Sequence, residues 1–244
     1  MTRLRVGMVV PSLNTVAEDD FRAFCPDDVA YHVHRIRLRA LPGPVTMDDL
    51  VRAYQDACDA AALVADPRPD AVVFNCTGAS APRGTDGDAA LAARMTERLG
   101  IPATNTMVAV KQALRAVRAR DILHICPFTD TFSRAERASL EGSGITVRGT
   151  VSLDFADAKD AARMAPADIA EYVRGRIDDA VGAVLLSCAN VRAFEAVEHL
   201  ERAIGRPVVT SNQAVLWAVL AAAGRTGGIP GAGRLFREAA ADVR

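Results

Sequence analysis

Lysine is almost missing from this chain. Only Lys111 and Lys159 occur, both in helix-like or loop contexts, which leaves no good candidate for a Schiff-base lysine and speaks against pyridoxal phosphate. Aromatic residues make up 5% of the 244 positions, too few for a base-stacking platform. A formal net charge of -1 offers no basic field to nucleic acid or to an anionic membrane. There is no P-loop and no G-x-G-x-x-G. The four histidines, His32, His34, His124 and His199, lack metal-ligand spacing, and each reads as a satisfied surface or core residue. The first apolar run, Val6 to Pro11, has strand length, far short of the roughly 20 residues of a membrane span, and no signal-peptide cleavage pattern follows it. Five cysteines at irregular spacing do not make a disulfide framework, so the expectation is a cytoplasmic protein with reduced thiols.

What is present is an ordinary globular composition, 50% hydrophobic and 24% charged, arranged as two copies of one plan. Arg5-Val6-Gly7-Met8-Val9-Val10-Pro11-Ser12-Leu13-Asn14-Thr15 is matched by Asp121-Ile122-Leu123-His124-Ile125-Cys126-Pro127-Phe128-Thr129-Asp130-Thr131. Ala71 to Gly78, an apolar strand ending in Asn75-Cys76, is matched by Ala183 to Asn190, ending in Ser187-Cys188. Ile101-Pro102-Ala103-Thr104-Asn105 and Arg206-Pro207-Val208-Val209-Thr210-Ser211-Asn212 each precede a helix-patterned run. Three correspondences in the same order read as a duplicated βαβ lobe. The expected units are an N-terminal lobe over 1–115, with 210–244 packing back on it, and a C-terminal lobe over 116–209.

Helical periodicity covers Met47–Val64, with Thr46 and Asp49 placed as a capping box, and also Asp88–Leu99, Phe132–Leu140, Pro166–Val181 and Phe194–Ile204. Gly224 to Gly233 reads as a linker, and Leu235 to Val243 as a short surface helix or an unstructured end. His34 to Arg39 alternates as an edge strand with a solvated basic face. Continuous apolar strands alternating with helices predict an α/β fold of two pseudo-symmetric lobes, each a parallel sheet flanked by helices.

Ligands of open α/β sheets bind beyond the carboxyl ends of the strands, and there the polar clusters lie. Cys76 and Cys188 hold equivalent places in the two halves, so two facing lobes would set them on opposite walls of one cleft. A thiolate is both nucleophile and base, and strand-to-helix turns supply free backbone N–H groups to hold it or a carboxylate. Two such groups flanking one carbon can remove and return a proton, or one can add to a double bond while the other manages the proton. A single strand-end cysteine is more often packing than chemistry. The shared position favours function for this pair, while Cys25, Cys58 and Cys126 read as packed. Asn14, Asn190 and Asn212 sit at loop tips, where an asparagine serves either a ligand or its own turn.

The opening Val10-Pro11-Ser12-Leu13-Asn14-Thr15 resembles the start of the maleate cis-trans isomerases, members of the aspartate/glutamate racemase superfamily along with hydantoin racemases and arylmalonate decarboxylases. Phe74-Asn75-Cys76-Thr77-Gly78-Ala79-Ser80, Leu186-Ser187-Cys188-Ala189-Asn190-Val191-Arg192 and the stretch from Glu201 to Trp217 are similar to three further segments of that group. The resemblance implies a cofactor-independent isomerase with no metal or organic cofactor, acting on a small carboxylate as a homodimer. Cys76 would add to the double bond, Cys188 would act as acid and base, and Asn14 would hold a carboxylate. Pro11, Ser12, Thr77, Gly78, Ala189 and Asn190 would complete the binding site. Phe128 stands where the family commonly has tyrosine, and Ala158 falls near a position where it often has asparagine. Both departures point away from maleate itself, to a larger, less charged or singly carboxylated substrate. An amino-acid or hydantoin-type racemase, an arylmalonate-type decarboxylase and a non-catalytic binding protein are the alternatives. Arylmalonate decarboxylases keep only the cysteine matching Cys188, so Cys76 weighs against that one.

Overall fold

The computed structural model describes residues 3–39, 43–81, 83–84, 86–225 and 227–238. The first half runs β1 (Leu4–Pro11), α1 (Ala17–Phe24), β2 (Val29–Ile36), α2 (Met47–Ala65), β3 (Ala71–Phe74), α3 (Thr77–Ser80), α4 (Gly87–Leu99), β4 (Ala103–Asn105) and α5 (Thr106–Ala116). The second runs β5 (Asp121–Cys126), α6 (Asp130–Glu141), β6 (Thr146–Ser152), α7 (Ala158–Arg163), α8 (Pro166–Arg174), β7 (Ala183–Leu186), α9 (Val197–Ile204), β8 (Val208–Thr210), α10 (Ser211–Ala222) and α11 (Gly233–Glu238). The strands form two four-stranded sheets, ordered β2-β1-β3-β4 and β6-β5-β7-β8, with parallel pairing throughout. The two orders are the same order shifted by four strands, which is the expected duplication and the expected pair of parallel sheets.

Alternation along β1 explains how the first sheet is covered on both faces. Val6, Met8 and Val10 point into a central core shared with α1, α5, α10 and the second sheet, while Val9 joins Val72 and Phe74 beneath α2 and α4. At Gly7 a side chain would meet the Val64 carbonyl of α2 at 2.9 Å, so only glycine lets this helix lie so close to the strand. β2 is an edge strand, but it ends at Ile36, so of the expected edge stretch His34–Arg39 only the first half is strand and Arg37 and Arg39 lie beyond it. Thr46 and Asp49 form the expected capping box at the start of α2, and Gly100, at φ 62°, ends α4.

Three helical expectations need correction. α8 stops at Arg174 instead of reaching Val181, because Gly175 follows and the Asp178 carboxylate turns the chain by accepting from the N–H groups of Ala180 and Val181. The run Phe194–Ile204 divides into a single 3-10 turn, Phe194–Ala196, and the helix α9. The final helix is α11, six residues long, with Leu235 and Phe236 turned inward, and residues 239–243 of the expected helix lie outside the described residues. Among the described residues no helix is long and apolar enough to cross a membrane.

Candidate active site

Each sheet delivers one cysteine in the same way. The Asn75 N–H donates to the Val9 carbonyl at 2.8 Å, and the Ser187 N–H donates to the Ile125 carbonyl at 2.9 Å. The inner strand of each sheet therefore fixes the residue just before Cys76 or Cys188. Beyond that point the halves diverge. Cys76 is extended, at φ −144° and ψ 104°, and caps the four-residue helix α3. Cys188 has φ 102°, in the region that favours glycine, and a turn, not a helix, follows it directly. A non-glycine residue held there stores strain, a condition that concentrates at functional positions.

Both cysteines border one cavity of about 290 Å³. Pro11, Asn14, Thr77, Gly78, Phe128, Ala189 and Asn190 border it as well, so nearly the whole set of sequence candidates meets at one place. Ser12 is not among them. It is exposed, and its Oγ accepts from the Leu38 N–H at 3.3 Å, tying the end of β1 to the chain beyond β2. Asn14 is buried with its side-chain amide turned to protein groups. Its Nδ2 donates to the Ala189 carbonyl at 2.8 Å, and its Oδ1 accepts from the N–H groups of Val16 and Ala17 at 3.0 and 2.9 Å. Asn190 Oδ1 accepts from the Thr15 N–H and its Nδ2 donates to the carbonyl of Ala158.

Burial controls the thiols. It pushes the Cys76 thiol up to about 12, with the Ala79 N–H opposing the rise and the nearby Glu136 adding to it. The Cys188 thiol is pushed up further by the same desolvation, against the Asn190 N–H, which lies 3.3 Å from its Sγ. Each sulfur thus has one backbone donor ready for a thiolate, in surroundings dry enough to keep the thiol protonated at neutral pH. Cys126, fully buried and absent from the cavity wall, is packed, as is Cys58.

Behind the cysteines runs a seam of buried polar side chains. Ser211 Oγ accepts from the Cys188 N–H at 3.0 Å and shares a hydrogen bond with Thr77 Oγ1 at 2.9 Å, joining the two cysteine loops through one hydroxyl. Asn212 Nδ2 donates to Asp20 Oδ2 at 2.6 Å and to the Ala189 carbonyl at 3.1 Å, while its Oδ1 accepts from Asn75 Nδ2. Asn75 Oδ1 in turn accepts from Thr106 Oγ1. Burial raises the Asp20 carboxyl to about 7, against the lowering effect of the Asn212 hydrogen bond.

Sequence reasoning missed most of the cavity wall. Leu13, Leu38, Val45, Leu50, Phe132 and Phe155 make it largely apolar, and they come from scattered stretches of the chain with no shared motif. It also missed Glu136, which borders the cavity although it is only 3% exposed. In the run Ser133-Arg134-Ala135-Glu136-Arg137 it reads as one more surface charge. Among the described residues no cluster of three His, Cys, Asp or Glu side chains could hold a metal ion.

The arylmalonate decarboxylase family model matches residues 6–236. Arylmalonate decarboxylase of Bordetella bronchiseptica is 28% identical over 236 residues, 96% of each chain. Maleate isomerase of Pseudomonas putida is 26% identical over 250 residues, 97% of this chain and 98% of that one. Among solved structures, Nocardia farcinica maleate cis-trans isomerase with a covalently bound succinylcysteine intermediate superposes with a TM-score of 0.89 at 23% identity, covering 96% of this chain and 98% of that one. A liganded double mutant of arylmalonate decarboxylase reaches 0.87 at 28% identity, covering 96% and 99%.

Proposed function

This chain belongs to the arylmalonate decarboxylase family, and within it we propose a cofactor-independent two-cysteine isomerase that converts a small cis-alkenoate, of maleate type, to its trans isomer. The observation that carries this reading is the pair of cysteines, one from the same strand end of each sheet, on the wall of one largely apolar cavity. Curated relatives that are maleate isomerases, and the succinylcysteine held by the Nocardia relative, support a cysteine adduct on this fold.

The chemistry balances with these two sulfurs alone. Cys76 first loses its proton to solvent, and its Sγ then bonds to one alkene carbon. The π pair moves to the neighbouring carbon, which takes the proton of the Cys188 thiol. The former double bond is now single and rotates. The Cys188 thiolate takes the proton back, the C–C π bond re-forms, and the C–S pair returns to Cys76, giving the trans product. The first amides of α3 at Thr77 and Gly78, and the amide of Ala189, hold the carboxylate that becomes electron-rich in the adduct. We infer Pro11 and Phe128 as walls of the same site, and a homodimer as the working unit.

The apolar wall and the 28% identity to a decarboxylase favour a second reading, in which the same sulfurs handle a proton on a saturated carbon, as a racemase or decarboxylase. Proton NMR in D₂O separates the two. Appearance of the trans alkenoate supports the isomerase. Deuterium entering the α-position of a saturated acid, or loss of CO₂ from a malonate, with cis-alkenoates untouched, rejects it.

A further inference from the structure

The described cavity wall carries a carboxyl group and no basic side chain. Among the described residues on its wall there is no lysine, arginine or histidine, and apart from the two thiols the one ionisable side chain is Glu136. Arg39 borders a neighbouring outer depression, where its Nη1 donates to the Gly43 carbonyl at 2.8 Å. Glu136 is held in place from behind. Its Oε2 lies 3.0 Å from Nε2 of the fully buried His124, and the same nitrogen lies 3.0 Å from Ser187 Oγ. Ser187 is anchored through its N–H to the Ile125 carbonyl, so the carboxylate, its histidine and the cysteine-bearing loop form one braced unit. His124 itself is absent from the wall. An anionic ligand therefore meets the carboxylate and not the ring behind it.

A dicarboxylate in such a space has backbone amides for one end and no cation for the other. Burying a charge without a partner is costly, and a second like charge nearby makes it worse. The remaining wall has the opposite preference. Leu13, Phe128, Phe132 and Phe155 are only partly buried, leaving apolar surface facing the cavity. We infer that Glu136, braced by His124, makes this a single-carboxylate site: it refuses a second carboxylate, and the rest of the ligand is an alkyl or aryl group on the double bond, lying among Leu13, Leu38, Leu50, Phe132 and Phe155. The inference rests on the isomerase reading for the double bond alone, and it narrows the maleate-type substrate of that reading to one with a single carboxylate.

Saturated analogues test it without needing turnover. Calorimetry on the whole protein should give a dissociation constant for 3-phenylpropanoate at least about tenfold below that for succinate. Glu136→Gln, which keeps the shape and the His124 contact, should tighten succinate about tenfold and change 3-phenylpropanoate less than about twofold. Succinate binding as tightly as 3-phenylpropanoate to the unaltered protein overturns the inference even if the variant does not fold. An unchanged ratio of the two constants in a folded Glu136→Gln protein also overturns it. The isomerase reading is checked separately by NMR with maleate and cis-cinnamate. Tight 3-phenylpropanoate binding with neither alkenoate isomerised sinks that reading and leaves the ligand class standing. Isomerised maleate with succinate as the tighter ligand does the reverse.

Discussion

The Asn14 side chain donates to the carbonyl of Ala189 across 2.8 Å, joining the loop after the first strand to the loop of the second cysteine, 175 residues further along the chain. The same asparagine accepts from the N–H groups of Val16 and Ala17 at the start of α1. It is a brace between the halves as well as a member of the cavity wall. Asn14→Ala is expected to lower stability by about 1–2 kcal/mol, the cost of leaving the Val16 and Ala17 N–H groups without their acceptor and the Ala189 carbonyl with Asn212 alone. It is also expected to raise KM for the carboxylate. Thermal melts and steady-state kinetics check both. Unchanged KM and kcat would remove Asn14 from the site.

Cys76→Ser and Cys188→Ser should each lower turnover by about 10²–10⁴-fold while the fold survives. The double variant should be little worse than either single one, because the two sulfurs act in one cycle. Circular dichroism and NMR progress curves are the measurements. A single variant with near-full activity would refute the paired mechanism.

Because burial lifts the Cys76 thiol from its ordinary value of 9.0 to about 12, only a small thiolate fraction exists at neutral pH. The isomerisation rate should therefore climb by about tenfold per pH unit above pH 7, with no plateau before alkaline unfolding. Stability should run the opposite way. A thiol that holds its proton more tightly when folded contributes fully below pH 9 and loses that contribution as pH rises towards about 12. Denaturant titrations from pH 8 to pH 11 should show this loss, and Cys76→Ser should reduce it.

Asp20 supplies an acidic counterpart. Its carboxyl rises from 3.8 to about 7 on folding, chiefly because it is buried. Its contribution is present below pH 3.8 and is lost as pH rises through 7, on the order of 4 kcal/mol for a shift of that size. Asp20→Asn keeps an oxygen for Asn212 and removes the ionisation, so the variant should be more stable than the natural chain at pH 8 and should lack this slope between pH 4 and pH 7. Identical pH profiles for the two proteins would show that Asp20 is not the group responsible.

What could be read in the sequence was what is local. The cysteine-bearing strand ends, the Thr46–Asp49 box and the Gly100 stop each depend on a few consecutive residues, and duplication let one half vouch for the other. The cavity wall depends on tertiary approach. Leu38 follows β2, Leu50 belongs to the first turn of α2 and Phe155 to the loop before α7. A leucine facing a cavity has the same sequence signature as one facing a core. Glu136 was illegible for a different reason: its partner, His124, stands twelve positions earlier on β5, and only the fold brings the two together. The end of α8 was misjudged because the Asp178 turn competes with a helical pattern that apolar spacing alone would extend.

The last long helix, α10, lies against α5 of the first half, where Met107, Ala109, Val110, Ala113 and Leu114 are all buried. During synthesis those side chains leave the ribosome roughly a hundred residues before their cover does. For that interval the emerging half-protein keeps an apolar flank uncovered. A fragment ending at Ala116 is accordingly expected to bind a hydrophobic dye that the complete chain leaves dark.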